Sequence, residues 1–114
     1  MKLPFNVDLS DKVAAITGGG GVLMSEFAKA LAACGAKVAL LDINEAASEE
    51  AAQSIIGQGG SAIAVKCNCL EKESIITAKE IINKKFGTVN LLINGAGGNN
   101  PKGTTDIETM TKEA

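Results

Sequence analysis

Thr17-Gly18-Gly19-Gly20-Gly21-Val22-Leu23-Met24 joins an apolar run, Val13 to Thr17, to an amphipathic stretch that begins at Val22, and a second apolar run, Val38-Ala39-Leu40-Leu41, closes on Asp42. Strand, glycine turn, helix, strand and acid in that order imply a dinucleotide-binding βαβ unit. Glycines let backbone N–H groups approach a diphosphate with no Cβ in the way, and the helix N-terminus behind them adds a positive end. Asp42 lies 21 residues beyond Gly21, where a carboxylate can accept hydrogen bonds from both hydroxyls of an adenosine ribose. A glycine-rich turn alone is an ordinary strand-to-helix connection, and a lone Asp can simply open a helix. The two together at this spacing point to a cofactor.

Outward from that unit, apolar runs alternate with helical patterns. Val13 to Thr17, Lys37 to Leu41, Ala62 to Cys67 and Val89 to Asn94 read as buried parallel strands. In the first helix Leu23, Phe27, Ala30, Leu31 and Cys34 recur at helical offsets, which predicts one core-facing stripe ending at Gly35. The second runs from about Asn44, a candidate N-cap, to Ile56, with Ala51 and Ile55 inward and Gly57, Gly59 and Gly60 stopping it. A third spans about Glu71 to Phe86, with Ile75, Ala78, Ile82 and Phe86 on one face, Lys84 and Lys85 at its negative end, and Gly87 as terminator.

Right-handed crossovers through four such strands give an α/β fold: a Rossmann-type doubly wound parallel sheet, here its first half (βαβαβαβ, strand order 3-2-1-4). The fourth strand is then an edge. Leu91-Leu92-Ile93 is nevertheless apolar on both faces, as a central strand is, so further chain is expected beside it.

At 114 residues and 46% apolar composition, residues 1–114 can build one domain with a real core. The net charge is −2, and the eleven cations, all Lys, are scattered along the chain. Neither a nucleic-acid footprint nor a patch for an anionic membrane is present. No apolar run reaches membrane-spanning length, and the first eight residues lack the apolar core of a secretory signal, which leaves a cytoplasmic location as the expectation. The three cysteines, Cys34, Cys67 and Cys69, are odd in number and poorly spaced for zinc, and the chain has no His, so free thiols and no metal are expected. Cys67 and Cys69, two apart in a strand-like run, should face one side as small apolar filler rather than as a redox pair.

The sequence resembles the short-chain dehydrogenase/reductase family, as its N-terminal half. Thr17 to Met24 stands where that family has TGxxxGxG, Asn94-Gly95-Ala96-Gly97 where it has NNAG after the fourth strand, and Asp42 at its ribose position. Within these motifs three residues depart from the pattern, and two more do so after the third strand: Val22 and Met24 take the places of its second and third glycines, with Gly21 as the close-approach residue, and Gly95 replaces its second Asn. Asn68 stands where the family's Asp receives the adenine amino group, and Cys69 follows where Val is usual. The resemblance thus implies cofactor contacts at Gly18, Gly20, Gly21, Val22, Leu23, Asp42, Ile43, Asn68, Cys69, Asn94, Ala96 and Gly97.

A carboxylate at position 42 favours free ribose hydroxyls and repels a 2′-phosphate, and the chain has no Arg to neutralise one, so NAD is expected over NADP. The family's chemistry uses a Tyr, a Lys and a Ser. This chain has no Tyr, those residues would fall beyond Ala114, and no catalytic residue is assigned. The resemblance implies hydride transfer between a nicotinamide and a small-molecule alcohol or carbonyl, in a homo-oligomer, a tetramer or a dimer. Within the family, Leu3 to Leu9, the Gly-Gly-Gly-Gly-Val-Leu turn and Gly97-Gly98-Asn99-Asn100-Pro101 look like the sugar-acid branch that includes D-mannonate oxidoreductases (fructuronate reductases). Two other readings remain open from sequence. One is a noncatalytic dinucleotide-binding or assembly module, and the other a Rossmann-like methyltransferase, whose first loop is also glycine-rich but which lacks an Asn94-Gly95-Ala96-Gly97 counterpart.

Overall fold

The computed structural model describes residues 7–95. Four strands, β1 (Val13–Thr17), β2 (Lys37–Asp42), β3 (Ser61–Lys66) and β4 (Leu91–Asn94), alternate with three helices, α1 (Val22–Ala33), α2 (Glu45–Gly57) and α3 (Lys72–Lys85). All pairings are parallel and the order is β3-β2-β1-β4, as expected for the first half of a doubly wound sheet. The expected strand limits shift slightly. The β4 ladder begins at Leu91 rather than Val89, because the Asn90 side chain accepts the Val13 N–H (2.9 Å) while the Asn90 N–H donates to the Val13 carbonyl (2.9 Å).

Alternation along the strands divides the core in two. Ile16, Val38, Leu40 and Ala62 face α1 and α2, where they meet Ala28, Ala51, Ala52 and Ile55. Val13, Ala15, Ala39, Leu41, Val65 and Cys67 face α3 through Ala78 and Ile82. β1 is buried along its whole length, as a strand covered on both faces must be. Asn44 caps α2 by accepting the Ala47 N–H (3.2 Å), and Gly35 and Gly87 sit at positive φ (99° and 102°) just past α1 and α3.

The α1 stripe needs correction. Leu23 and Phe27 are 65% and 47% exposed, whereas Met24, Ala28, Leu31 and Ala32 pack on the sheet. The helix is apolar on more than one side, so its sequence fits two stripes offset by one residue. The sheet takes the stripe that places an alanine, Ala28, at the contact. Ile75 of α3 is likewise exposed, leaving Ala78, Ile82 and the half-buried Phe86 as the packed face. Leu92 of β4 is 61% exposed, since β4 has one neighbouring strand among the described residues. No helix among the described residues is long and apolar enough to cross a membrane.

Candidate cofactor cleft

Parallel strands all deliver their carboxyl ends to the same side of a sheet, and the order reverses between β1 and β4, which leaves a crevice there. A cleft of about 500 Å³ lies at those ends, lined by Gly18 and Gly21 from the turn, Leu41, Asp42 and Ile43 from the end of β2, Cys67 to Leu70 from the end of β3, and Gly95 beyond β4. Six of the residues expected from sequence meet here: Gly18, Gly21, Asp42, Ile43, Asn68 and Cys69.

The glycine turn is shaped by the chain itself. Gly18 has a φ of 68°, a left-handed conformation that favours glycine. A Cβ on Gly19 would lie 2.8 Å from Leu40 Cβ and 2.9 Å from its Cα, so the turn rests directly on β2. At Gly20 a Cβ would meet the Ala47 methyl, Asp42 Oδ2 and the Ser48 nitrogen, each at 2.9 Å. The N–H groups of three of these glycines, expected to face a diphosphate, instead donate within the protein: Gly19 to the Leu41 carbonyl (3.0 Å), Gly20 to Asp42 Oδ2 (2.9 Å) and Gly21 to the Gly18 carbonyl (3.0 Å). Amides for an anion are left at the first turn of α1, where Val22, Leu23 and Met24 have no carbonyl four residues back within the helix. Gly20 and Val22 line a smaller depression, of about 300 Å³, between α1 and α2, and Leu23 is exposed beside the turn.

Asp42 anchors the second wall. Its Oδ1 accepts the Asn44 N–H (3.0 Å) and its Oδ2 the Gly20 N–H. Lys66 is its register partner across β3, yet the ion pair found among the described residues is Lys29–Glu26. A carboxylate offers about four acceptor sites, so two remain on this cleft-lining residue, enough for two hydroxyls. Ile43 and Leu70 are both exposed apolar side chains flanking this wall, Leu70 almost completely so at 95%.

Asn68 is partly committed: its Oδ1 accepts the Leu70 N–H (3.0 Å), its Nδ2 donates to Glu71 Oε1 (3.2 Å), and its backbone N–H donates to Ser74 Oγ (2.8 Å). This turn leads into α3 and leaves the amide oxygen one lone pair. Cys67 is buried and Cys69 half-buried, and all three cysteines are free thiols. Burial first, then the Cys67 thiol and the Asp42 carboxylate, push the Cys69 thiol above its ordinary value. Cys67 and Cys69 lie on one side, with the α3-facing core, as expected, although the chain has already left β3 at both and both also line the cleft.

At the β1–β4 switch point the Gly95 N–H donates to both the Thr17 carbonyl (3.1 Å) and Thr17 Oγ1 (3.0 Å). A Cβ on Gly95 would overlap the Met24 thioether and come within 2.8 Å of the Thr17 carbonyl oxygen. The departures from the family pattern at Met24 and Gly95 are therefore one spatial arrangement, in which Met24 occupies the room that a side chain at 95 would need. Asn94 is exposed at the end of β4, outside the cleft lining. Ala96 and Gly97 lie outside the described residues. Leu41, Cys67, Leu70 and Gly95 complete the lining and were not foreseen as contacts; an unexplained apolar residue in the polar turn Asn68-Cys69-Leu70-Glu71 was the available signal for Leu70.

Comparison with known proteins agrees with this architecture. A short chain dehydrogenase family profile matches residues 12–114. The chain belongs to the short-chain dehydrogenase/reductase family. It is 50% identical over 108 residues to an uncharacterized oxidoreductase of Haemophilus influenzae, covering 95% of this chain and 38% of that protein. Among solved structures, a candidate D-mannonate oxidoreductase from Haemophilus influenza with bound NAD superposes with a TM-score of 0.82 at 51% identity, over 90% of this chain and 36% of that one. A hydroxysteroid dehydrogenase from Escherichia coli gives 0.77 at 33% identity, over 84% and 40%. The chain thus spans about two fifths of the length of the curated relatives it matches.

Proposed function

We propose that the intact protein is an NAD-dependent oxidoreductase acting on a small-molecule alcohol or carbonyl, with a sugar acid of the mannonate/fructuronate kind as substrate. The observation that carries the cofactor half is the Asp42 carboxylate, which lines the cleft, is fixed by two backbone N–H groups and keeps two further acceptor sites. The donor set fits the cofactor. Asp42 would take the adenosine ribose, Ile43 and Leu70 would flank the adenine with Asn68 and Cys69 at its edge, and the diphosphate would lie over Gly18 and Gly21 toward the amides of Val22 and Leu23. Gly20 shapes the turn from behind, and Asn94, Ala96 and Gly97 would border the nicotinamide side. When bound, NAD supplies a carbon centre that accepts or donates a hydride.

What this chain's residues do is bind and orient. A carboxylate held by two N–H groups cannot swing aside, so a 2′-phosphate would meet fixed negative charge, which favours NAD over NADP. The sugar-acid assignment draws on the 51% identity to the Haemophilus structure. Its test is the change in NADH absorbance when the protein is mixed with NAD and mannonate, or with NADH and fructuronate. Turnover with these and not with a hydroxysteroid supports the substrate class; NAD binding without turnover of any alcohol or carbonyl favours the noncatalytic module. Assembly as a dimer or tetramer belongs to the same proposal and is read from native mass.

A further inference from the structure

We propose that Asp42 is a positioning residue for the glycine turn, so that one side chain both reads the ribose and holds the diphosphate site in shape; the ligand arms of this proposal rest on the NAD reading above. The three N–H groups that define the turn go to three acceptors: the Leu41 carbonyl, the Gly18 carbonyl and Asp42 Oδ2. Two of these are backbone, fixed by β2 and by the turn itself. Asp42 is the one acceptor that a substitution can remove and with which a ligand shares atoms.

Position and crowding make that bond consequential. Gly20 is wedged between Asp42 Oδ2, the Ala47 methyl and the Ser48 nitrogen, so the bond ties the middle of the turn to the end of β2 and the start of α2 together. Immediately after the turn, Gly21 opens α1 with no side-chain cap and no acidic residue in its first turn; Met24, Ala28, Leu31 and Ala32 seat the helix on the core, and placing its first two residues falls to the turn. The aim of the Val22 and Leu23 amides therefore depends on where Gly20 is held. On the other oxygen, the Asn44 N–H fixes the carboxylate's rotation. Occupied on one side by the turn and on the other by a ribose, the carboxylate couples the two halves of the ligand through a single rigid group.

The test uses ligands that separate the two jobs. ADP carries ribose hydroxyls and a diphosphate; 2′,3′-dideoxy-ADP keeps the diphosphate and lacks both hydroxyls. If Asp42 positions the turn, Asp42→Ala weakens 2′,3′-dideoxy-ADP at least tenfold in calorimetry, and Asp42→Asn, whose amide oxygen can still take the Gly20 N–H, recovers at least threefold of that loss. If Asp42→Ala weakens ADP while 2′,3′-dideoxy-ADP stays within twofold of the unsubstituted protein, Asp42 only reads the ribose and the proposal is overturned. Hydrogen exchange in the unsubstituted, ligand-free protein gives a readout that no variant's folding can spoil: the Gly20 amide should exchange at least tenfold more slowly than that of Leu23, and equal rates would equally overturn the proposal. Absence of any ADP or NAD binding to the unsubstituted protein would instead sink the cofactor reading, with Gly20 exchange still deciding the turn.

Discussion

Replacing Gly95 with alanine tests the packing at the mouth of the cleft. The new methyl would overlap the Met24 thioether and lie 2.8 Å from the Thr17 carbonyl oxygen. Met24 is flexible and can turn aside at the cost of its packing on the core between the sheet and α1, whereas the Thr17 carbonyl is part of the buried β1 strand and cannot. Overpacking of this kind costs about 1–3 kcal/mol, and with one yielding and one rigid neighbour a value near 2 kcal/mol is expected. In a Met24→Ala background the thioether is absent and the Thr17 contact alone remains, so the same substitution should cost about half as much. The unfolded-state entropy that alanine removes relative to glycine acts equally in both backgrounds and cancels in the cycle. A coupling of about 1 kcal/mol should therefore appear in urea unfolding of the four proteins, beyond the roughly 0.3–0.5 kcal/mol within which independent sites add. Additivity within that margin would refute the claim that Met24 and Gly95 share one space.

Other outcomes follow from the same geometry. Gly19→Ala drives a methyl into the Leu40 backbone and should lower unfolding free energy by about 1–3 kcal/mol; an unchanged urea midpoint would contradict the close approach. Asn44→Ala removes the cap on the Ala47 N–H and should cost about 1 kcal/mol by the same assay. Leu40→Ala, at a fully buried centre of the α1–α2 core, should cost about 2–5 kcal/mol. Cys69, its thiol shifted upward, holds less thiolate near neutral pH than it does in the unfolded chain, so iodoacetamide should label it more slowly in the folded protein, with the gap closing as pH rises through the shifted value; equal labelling at neutral pH would contradict the shift.

Much of this architecture was legible from the chain. Val13 to Thr17 and Val38 to Leu41 are short continuous apolar runs bounded by turn residues, the pattern of strands buried on both faces; right-handed crossovers together with the dinucleotide-binding turn after β1 then point to the order β3-β2-β1-β4, which the sheet has. The α1 face was not legible, because Leu23-Phe27 and Met24-Ala28 satisfy the same period and only the distance of closest approach to the sheet selects the stripe with alanine. The cleft's lining was legible where a residue type has a chemical reason to be there, as with Asp42 and Gly18. It was not where backbone bonding decides. No spacing rule tells that the Gly19 and Gly20 amides are spent on β2 and the Gly21 amide on Gly18, which moves the expected anion site onto the first turn of α1. The exchange of Asn for Gly at 95 read as a departure until Met24 supplied its steric cause.

The most direct measurement is calorimetric titration of the protein with NAD and, separately, with NADP under identical salt. An Asp42 carboxylate fixed at the cleft predicts at least tenfold tighter NAD binding, about 1.4 kcal/mol. Equal dissociation constants for the two, or no binding of either, would contradict the account.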